Sequence, residues 1–413
     1  MRILSGATAA AEVRKLAARG SRREEVEPVV RRIITDVRQH GDRAVRKYAE
    51  RWDGLSRRES LKVPEQEIQA AFKSASSELR TSLRAAAANI RNFCERQTPT
   101  EWMRTRRGIT LGQLVRPLDS VGCYIPGGRY PLLSTLLMTV IPAQVAGVKQ
   151  IRVVSPQPRT EVLAVAGMLG IREIYRVGGA QAIAALAYGT QSIPRVDKIV
   201  GPGNLYVTAA KKLVSFDCAI DFLAGPTEVV IVSDAWNPEF IAADLVAQAE
   251  HDPEALAVLV TISDKLARQV ANVAKKLSRR NAVACQALQR NGVILVSASH
   301  SQSLDWANEL APEHLTVGAA DVPFVRNAGS VFVGPYSPQA AGDYASGPNH
   351  VLPTGGAARF RGGLGVLDFV KLISVQKLSR PGLRQIAPVV ETLANAEGLH
   401  AHAESIRVRF SHA

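Results

Sequence analysis

The strongest constraint on how this chain can fold is an alternation that sets in after Gly108. Val121 to Ile125, Ile151 to Ser155, Ile174 to Val177 and Val229 to Val232 are short apolar runs punctuated by glycine and proline. Between them lie segments rich in Ala and Leu, such as Gln181 to Tyr188. Strand-like runs alternating with helix-like segments predict an α/β fold with a largely parallel sheet. A second stretch of the same texture opens at Asn237-Pro238, a helix cap followed by proline at the first helical position, and runs on through Leu256 to Thr261 and Val293 to Val296. Two stretches of like texture are compatible with an old duplication, although no residue-level repeat is visible.

The flanks read differently. Residues 1 to about 100 read as helices, with Ile68, Phe72, Leu79, Leu83, Ile90 and Phe93 forming an apolar stripe after Pro64. A helical tail is expected from about Gly365 onward. With 413 residues, 46 % apolar and 21 % charged, the chain can build two or three units with real cores. No run approaches the ~18 apolar residues of a membrane helix, and the start lacks an apolar signal core, so a cytoplasmic protein is expected. The net charge of +14 raises the question of nucleic acid. However, Arg31 and Arg32 alternate with Val29, Val30, Ile33, Ile34 and Val37 at helical spacing, and no aromatics are interleaved to stack bases. A solvated helix face is the better reading. Cys94, Cys123, Cys218 and Cys285 form no CxxC pair and read as reduced thiols; Cys123, beside a glycine turn, has no sequence neighbour to activate it.

Seven of the eight histidines lie beyond residue 250: His251, His300, His314, His350, His400, His402 and His412. In Gln248-Ala-Glu-His251, positions 248 and 251 share a helix face and offer an amide oxygen and an imidazole to a metal, or simply cap a helix end. Glu313-His314 sets side by side a carboxylate able to activate water and an imidazole able to move a proton at neutral pH. Gly342 to His350 is a glycine-bounded polar segment in which Asp343 and His350 could bind a ligand, or an ordinary solvated loop. His400 and His402 would face the same way if that segment were extended, or be solvated tail residues. A full GxGxxG fingerprint is missing: Gly201-Pro-Gly203-Asn204 lacks the third glycine.

Beyond these local readings, the chain resembles the histidinol dehydrogenase family along nearly its whole length. The resemblance rests on Gly122-Cys-Tyr-Ile-Pro-Gly-Gly128, Gly178-Gly-Ala-Gln-Ala-Ile-Ala-Ala-Leu-Ala-Tyr-Gly189, Val196-Asp-Lys-Ile-Val-Gly-Pro-Gly-Asn204 and Ala224-Gly-Pro-Thr-Glu228. Gln248-Ala-Glu-His-Asp-Pro253, Asn308-Glu-Leu-Ala-Pro-Glu-His-Leu315, Gly342 to Thr354 and Glu397-Gly-Leu-His-Ala-His402 continue it in order. It implies one Zn2+ per subunit on Gln248, His251, Asp343 and His402, and catalysis by Glu313 and His314. Substrate contacts are implied at Ser134, Thr227, His350 and Glu397, together with His314 and the zinc ligands, and NAD contacts at Tyr124, Gln181 and Asn204. The implied reaction is the NAD-linked oxidation of L-histidinol through L-histidinal to L-histidine.

The resemblance also implies two incomplete Rossmann-like domains with small N- and C-terminal helical pieces, in an intertwined homodimer whose tails complete the partner's site. The boundaries expected are an N-terminal arm at 1–18, a discontinuous first domain at 19–123 and 233–364, a second at 124–232, and a helical tail at 365–413. Two positions depart from the family pattern: Thr227 stands where serine is usual, and Gln339 where glutamate is usual. They leave room for a related zinc and NAD enzyme acting on another small amino- or sulfo-alcohol. A basic nucleic-acid-binding protein on a non-catalytic fold is the reading from a different class, and retention of every implied ligand and catalytic residue weighs against it.

Overall fold

A computed structural model of the chain describes residues 1–19, 25–127 and 132–411. The apolar runs become the strands Ser120–Tyr124, Gln150–Val154, Glu173–Tyr175, Glu228–Val232, Leu256–Thr261 and Gly292–Val296. The last three are buried from end to end, which explains continuous apolar sequence in place of alternation. The chain forms two compact units, one of residues 1–97 and 118–369, the other of residues 98–117 and 370–413.

The larger unit contains two parallel sheets. Ser120–Tyr124, Gln150–Val154, Glu173–Tyr175, Lys198–Val200 and Ala219–Ile220 lie side by side in the order third, second, first, fourth, fifth. Glu228–Val232, Leu256–Thr261, Gly292–Val296, His314–Val317 and Ser330–Val333 repeat that order in a second sheet. The common winding is the three-dimensional counterpart of the repeated sequence texture.

Residues 1–18 are not a separate arm. Arg2–Ser5 is the sixth strand of the second sheet, parallel to Gly292–Val296, and the helix Gly6–Ala17 buries Ala9 and Val13 in the same core. Residues 19–123 do not group with 233–364 either. The helices Glu27–His40 and Asp42–Trp52 bury Val30, Ile33, Val37 and Val45 with Ala182, Ile183 and Leu186. Glu65–Ser74 and Ser77–Gln97 bury Ile68, Leu83 and Ile90 with Leu136, Ile141 and Val165, and Ser120–Tyr124 is the central strand of the first sheet. An amphipathic stripe specifies that a helix has a buried face, not which sheet that face will cover.

In the smaller unit Val370–Leu378 is a strand, where a helical tail was expected. It pairs antiparallel with Ile109–Pro117, which pairs with Trp102–Arg106. Its residues are mostly exposed, so no strict inside-outside alternation marks it in sequence. The helices Arg380–Ala396 and His400–Ser411 complete the unit.

Candidate active site

Parallel strands enter a sheet from one edge, so residues just before neighbouring strands are brought together. Thr227 precedes Glu228–Val232 and Glu313 precedes His314–Val317, and these two strands pair with His314 opposite Val229. The helix before Glu313, His300–Leu310, stops at Ala311, whose φ of +45° is left-handed and turns the chain sharply into the strand. In a strand–helix crossover the helix runs back to the edge where strands begin. Pro238–Ala249, capped by Asn237, therefore delivers Gln248 there, with His251 just past its end. Asp343 arrives on the short helix Gln339–Tyr344.

These residues form one hydrogen-bonded cluster. Thr227 Oγ1 donates to Glu313 Oε2 at 2.5 Å and accepts from Gln248 Nε2. The backbone N–H of Glu228 donates to the same Glu313 oxygen at 2.9 Å. The Glu228 carboxylate is itself held by Arg19, through Nε at 2.6 Å and Nη2 at 2.5 Å. His314 Nδ1 lies 3.1 Å from the Glu228 carbonyl oxygen. A carbonyl only accepts, so Nδ1 carries the imidazole proton and Nε2 keeps a lone pair. That Nε2 is buried without a hydrogen-bond partner among the described residues, 3.8 Å from Asp343 Oδ1. His350 Nδ1 donates to the Asp343 carbonyl at 2.8 Å, and His350 Nε2 lies 3.5 Å from Thr135 Oγ1, next to the buried Ser134. A cavity of about 390 Å³ is lined by His314, Phe332, Tyr336, Asp343, Asn349 and His350.

Burial dominates the protonation of this cluster. It pushes the Glu313 carboxyl well above its ordinary value, against the opposing bonds from Thr227 and Glu228. Burial also lowers His314 to about 4 and His350 to about 4, so both imidazoles are neutral at physiological pH. Asp343 is raised by burial, opposed by His314 and His251. The result is a neutral imidazole with an open lone pair beside a carboxyl group whose two donors converge on one oxygen.

A second, larger cavity of about 960 Å³ gathers Tyr124, Gln181 and Asn204. It opens where the strands of the first sheet end, and residues that follow the first, second, third and fourth strands line it. Tyr124 Oη accepts from Gly179 N at 3.2 Å, and Asn204 caps the helix Leu205–Val214 through Tyr206 N and Val207 N. Gly201, at φ +114°, packs so closely on the Tyr124 carbonyl that a side chain would collide with it. Close packing at this turn therefore requires glycine, although the full fingerprint is missing.

The family model described as histidinol dehydrogenase matches residues 16–410. The chain belongs to the histidinol dehydrogenase family. It is 50 % identical over 393 residues to histidinol dehydrogenase of Methanothermobacter thermautotrophicus, covering 91 % of this chain and 92 % of that one. With the Geobacillus kaustophilus histidinol dehydrogenase the identity is 48 % over 402 residues, covering 94 % of each. The crystal structure of histidinol dehydrogenase from Elizabethkingia anophelis superposes with a TM-score of 0.94 at 36 % identity, covering 99 % of this chain and 98 % of that one.

Of the residues that the histidinol dehydrogenase resemblance singles out, Thr227, Gln248, Glu313, His314, Asp343 and His350 meet at the strand-start cluster, with Ser134 beside it. Tyr124, Gln181 and Asn204 meet at the second cavity. Glu397 and His402 are exposed residues of the smaller unit. His400–Ser411 is helical, so His400 and His402 point about 200° apart instead of the same way. His412 and Gly128 lie outside the described residues. Gln339 donates through Nε2 to Thr316 Oγ1 at 2.7 Å, bracing the Asp343 helix on the His314 strand. Cys123 is sealed in the core, its thiol pushed up to about 12, which removes it as a nucleophile. Arg19 and Asp53, both bonded to these sites, carry no local signal in sequence because their partners lie far along the chain.

Among the described residues no group of three or more His, Cys, Asp or Glu stands ready to hold a metal. The cluster offers Gln248, His251 and Asp343. Gln248 commits Nε2 to Thr227, which leaves its carbonyl oxygen as the coordinating end. An amide oxygen, an imidazole and a carboxylate form a mixed N/O set that suits zinc.

Proposed function

We propose that the chain oxidises L-histidinol through L-histidinal to L-histidine with two NAD molecules, on a site holding one Zn2+ per subunit. The observation that carries this reading is the neutral His314 imidazole, whose unpartnered Nε2 lies 3.8 Å from Asp343 Oδ1 while its Nδ1 edge lies 3.6 Å from the Glu313 carboxyl. Gln248, His251, Asp343 and His402 are the metal ligands in this reading, and Tyr124, Gln181 and Asn204 hold NAD. Zinc would supply a cationic anchor for substrate nitrogens, and NAD the acceptor for two successive hydrides.

The protein's own groups handle the protons. His314 Nε2 takes the alcohol proton in the first oxidation, which a neutral imidazole can do and an imidazolium cannot. Glu313 then takes a proton from the water that hydrates the aldehyde. Ser134, Thr227, His350 and Glu397 orient the substrate, and closure of the site keeps the reactive aldehyde from leaving. The strand order third, second, first, fourth, fifth in both sheets supports two incomplete Rossmann-like domains.

The reading includes an intertwined homodimer in which Glu397 and His402 complete the partner's site. Exposed apolar residues on the smaller unit, including Met103, Leu372, Val389 and Leu393, support a covered surface there. Among the described residues no helix is long and apolar enough to cross a membrane, which is compatible with a cytoplasmic enzyme. The deciding assay follows NADH and product with L-histidinol, with and without a chelator. Two NADH and one histidine per histidinol, abolished by chelation, is the expected result; turnover only with another small amino- or sulfo-alcohol would replace this reading with the related dehydrogenase.

A further inference from the structure

Asp53 directly follows the helix Asp42–Trp52, far in sequence from the second cavity yet part of its wall. Tyr48 and Ala49 of that helix share a core with Ala180, Ala184 and Leu186, which fixes Asp53 against the start of the helix Gly179–Tyr188. One carboxylate oxygen, Oδ2, accepts two bonds there, from Gly178 N at 2.8 Å and from Gln181 Nε2 at 3.0 Å. Gly178 is the residue that caps this helix, and having no side chain it cannot serve the helix start itself.

The geometry points to Asp53 as a positioning residue that fixes which end of the Gln181 amide meets the cofactor. An ionised carboxylate accepts and never donates, so Gln181 must turn Nε2 toward it. The carbonyl Oε1 is the remaining end, and it lies against Gly179 in the wall of the cavity, where a Cβ on that glycine would stand 2.7 Å from it. A free glutamine amide could rotate and offer a donor or an acceptor; this one offers an acceptor. Beside it, Tyr124 Oη accepts from Gly179 N and keeps its own O–H to give. The wall therefore presents an acceptor and a donor in fixed order, suited to a ligand face with an N–H or O–H next to an acceptor, as a ribose hydroxyl or a carboxamide provides. This inference rests on the second cavity being the NAD site.

The test is a steady-state comparison of KM for NAD, KM for histidinol and kcat in the full-length, metal-loaded enzyme. Asp53→Ala should raise KM for NAD about tenfold or more while KM for histidinol stays within about twofold. Asp53→Asn, whose carbonyl oxygen can accept both bonds, should stay close to the parent. In the background of Gln181→Ala, Asp53→Ala should add little, because it acts through that amide. Should the alanine variant fail to fold, Gln181→Glu decides. It sets a carboxylate against Asp53 Oδ2 and should weaken NAD, and adding Asp53→Asn should not restore it, because an amide at that one position cannot accept from Gly178 N and donate to the new carboxylate together. Additive effects of the two alanine changes, equal rises in both KM values, or an unchanged KM for NAD in Gln181→Glu would overturn the positioning role. An unchanged KM for NAD in Gln181→Ala would overturn the cofactor assignment together with it, whereas a rise there with none in Asp53→Ala overturns the positioning role alone.

Discussion

Glu313→Gln should make the protein more stable and the second oxidation much slower. Both donors to this carboxyl, Thr227 Oγ1 and Glu228 N, converge on Oε2, so a glutamine carbonyl oxygen placed there keeps both bonds. What disappears is the charge and the ability to take a proton. Going from a charged to a neutral acceptor weakens each bond by about 1 kcal/mol, or about 2 kcal/mol for the pair. Against this stands the cost of an ionised carboxylate out of water, on the order of several kcal/mol. Burial wins, in keeping with its being the first cause of the raised Glu313 pKa.

The sign follows from linkage. A carboxyl raised above its ordinary 4.5 binds its proton more firmly in the folded state, so stability falls as pH climbs from that value through the folded one. The variant lacks this fall. At pH 8 it should exceed the parent by about 1 kcal/mol or more, roughly 2 °C in Tm, with the gap closing toward pH 5. Calorimetry at the two pH values reads this. NADH release from histidinal should drop about 10²–10⁴-fold, and from histidinol to histidinal much less. A variant less stable than the parent at pH 8, or equal losses in both half-reactions, would refute the reasoning.

Three further outcomes are expected. Chelation should abolish turnover and leave circular dichroism nearly unchanged, because the larger unit has its own extensive cores; global unfolding would make the metal structural. Co-expressed, differently tagged Gln248→Ala/His251→Ala and His402→Ala subunits should give active heterodimers, one site collecting every defect and the other none; inactive heterodimers would show that each tail serves its own subunit. His300 bonds Asp321 and Asp234 at 2.8 Å each, and these partners, Asp321 first, raise its pKa above 6.5. Its stabilisation is present below that value and is lost as pH rises through the folded pKa, a small effect at a half-exposed side chain. Urea titrations at pH 6 and 9 should therefore show a larger loss in the parent than in His300→Asn, and equal losses would count against the ion pair.

Local sequence carried the central strands and the chemistry of the site unevenly. Leu256–Thr261 reads directly from its apolar run, and Asn237-Pro238 announces its helix, because both signals lie within a few residues. Glu313 and His314 stood out as a pair of residue types, but their setting did not: His314 opens a strand and Glu313 directly precedes it. Asp343, assigned to a polar loop, sits on a helix of six residues, less than two turns and too short to leave a period in sequence. The family motifs named the remaining contacts without showing what holds them.

What the sequence determined by itself is therefore the alternating order of parallel strands and helices, the supply of reactive side chains, and the family. Tertiary structure alone decided that Thr227 bridges Gln248 to Glu313, that Arg19 pins Glu228 and that Asp53 holds Gln181. It also decided that the helices of residues 27–97 cover the first sheet and that Val370–Leu378 becomes a strand. The physical reason is the range of each force. Propensity and periodicity act over a few residues, whereas desolvation and hydrogen-bond geometry depend on which surfaces close over a group. That same closure leaves His314 neutral with an open lone pair and raises Glu313.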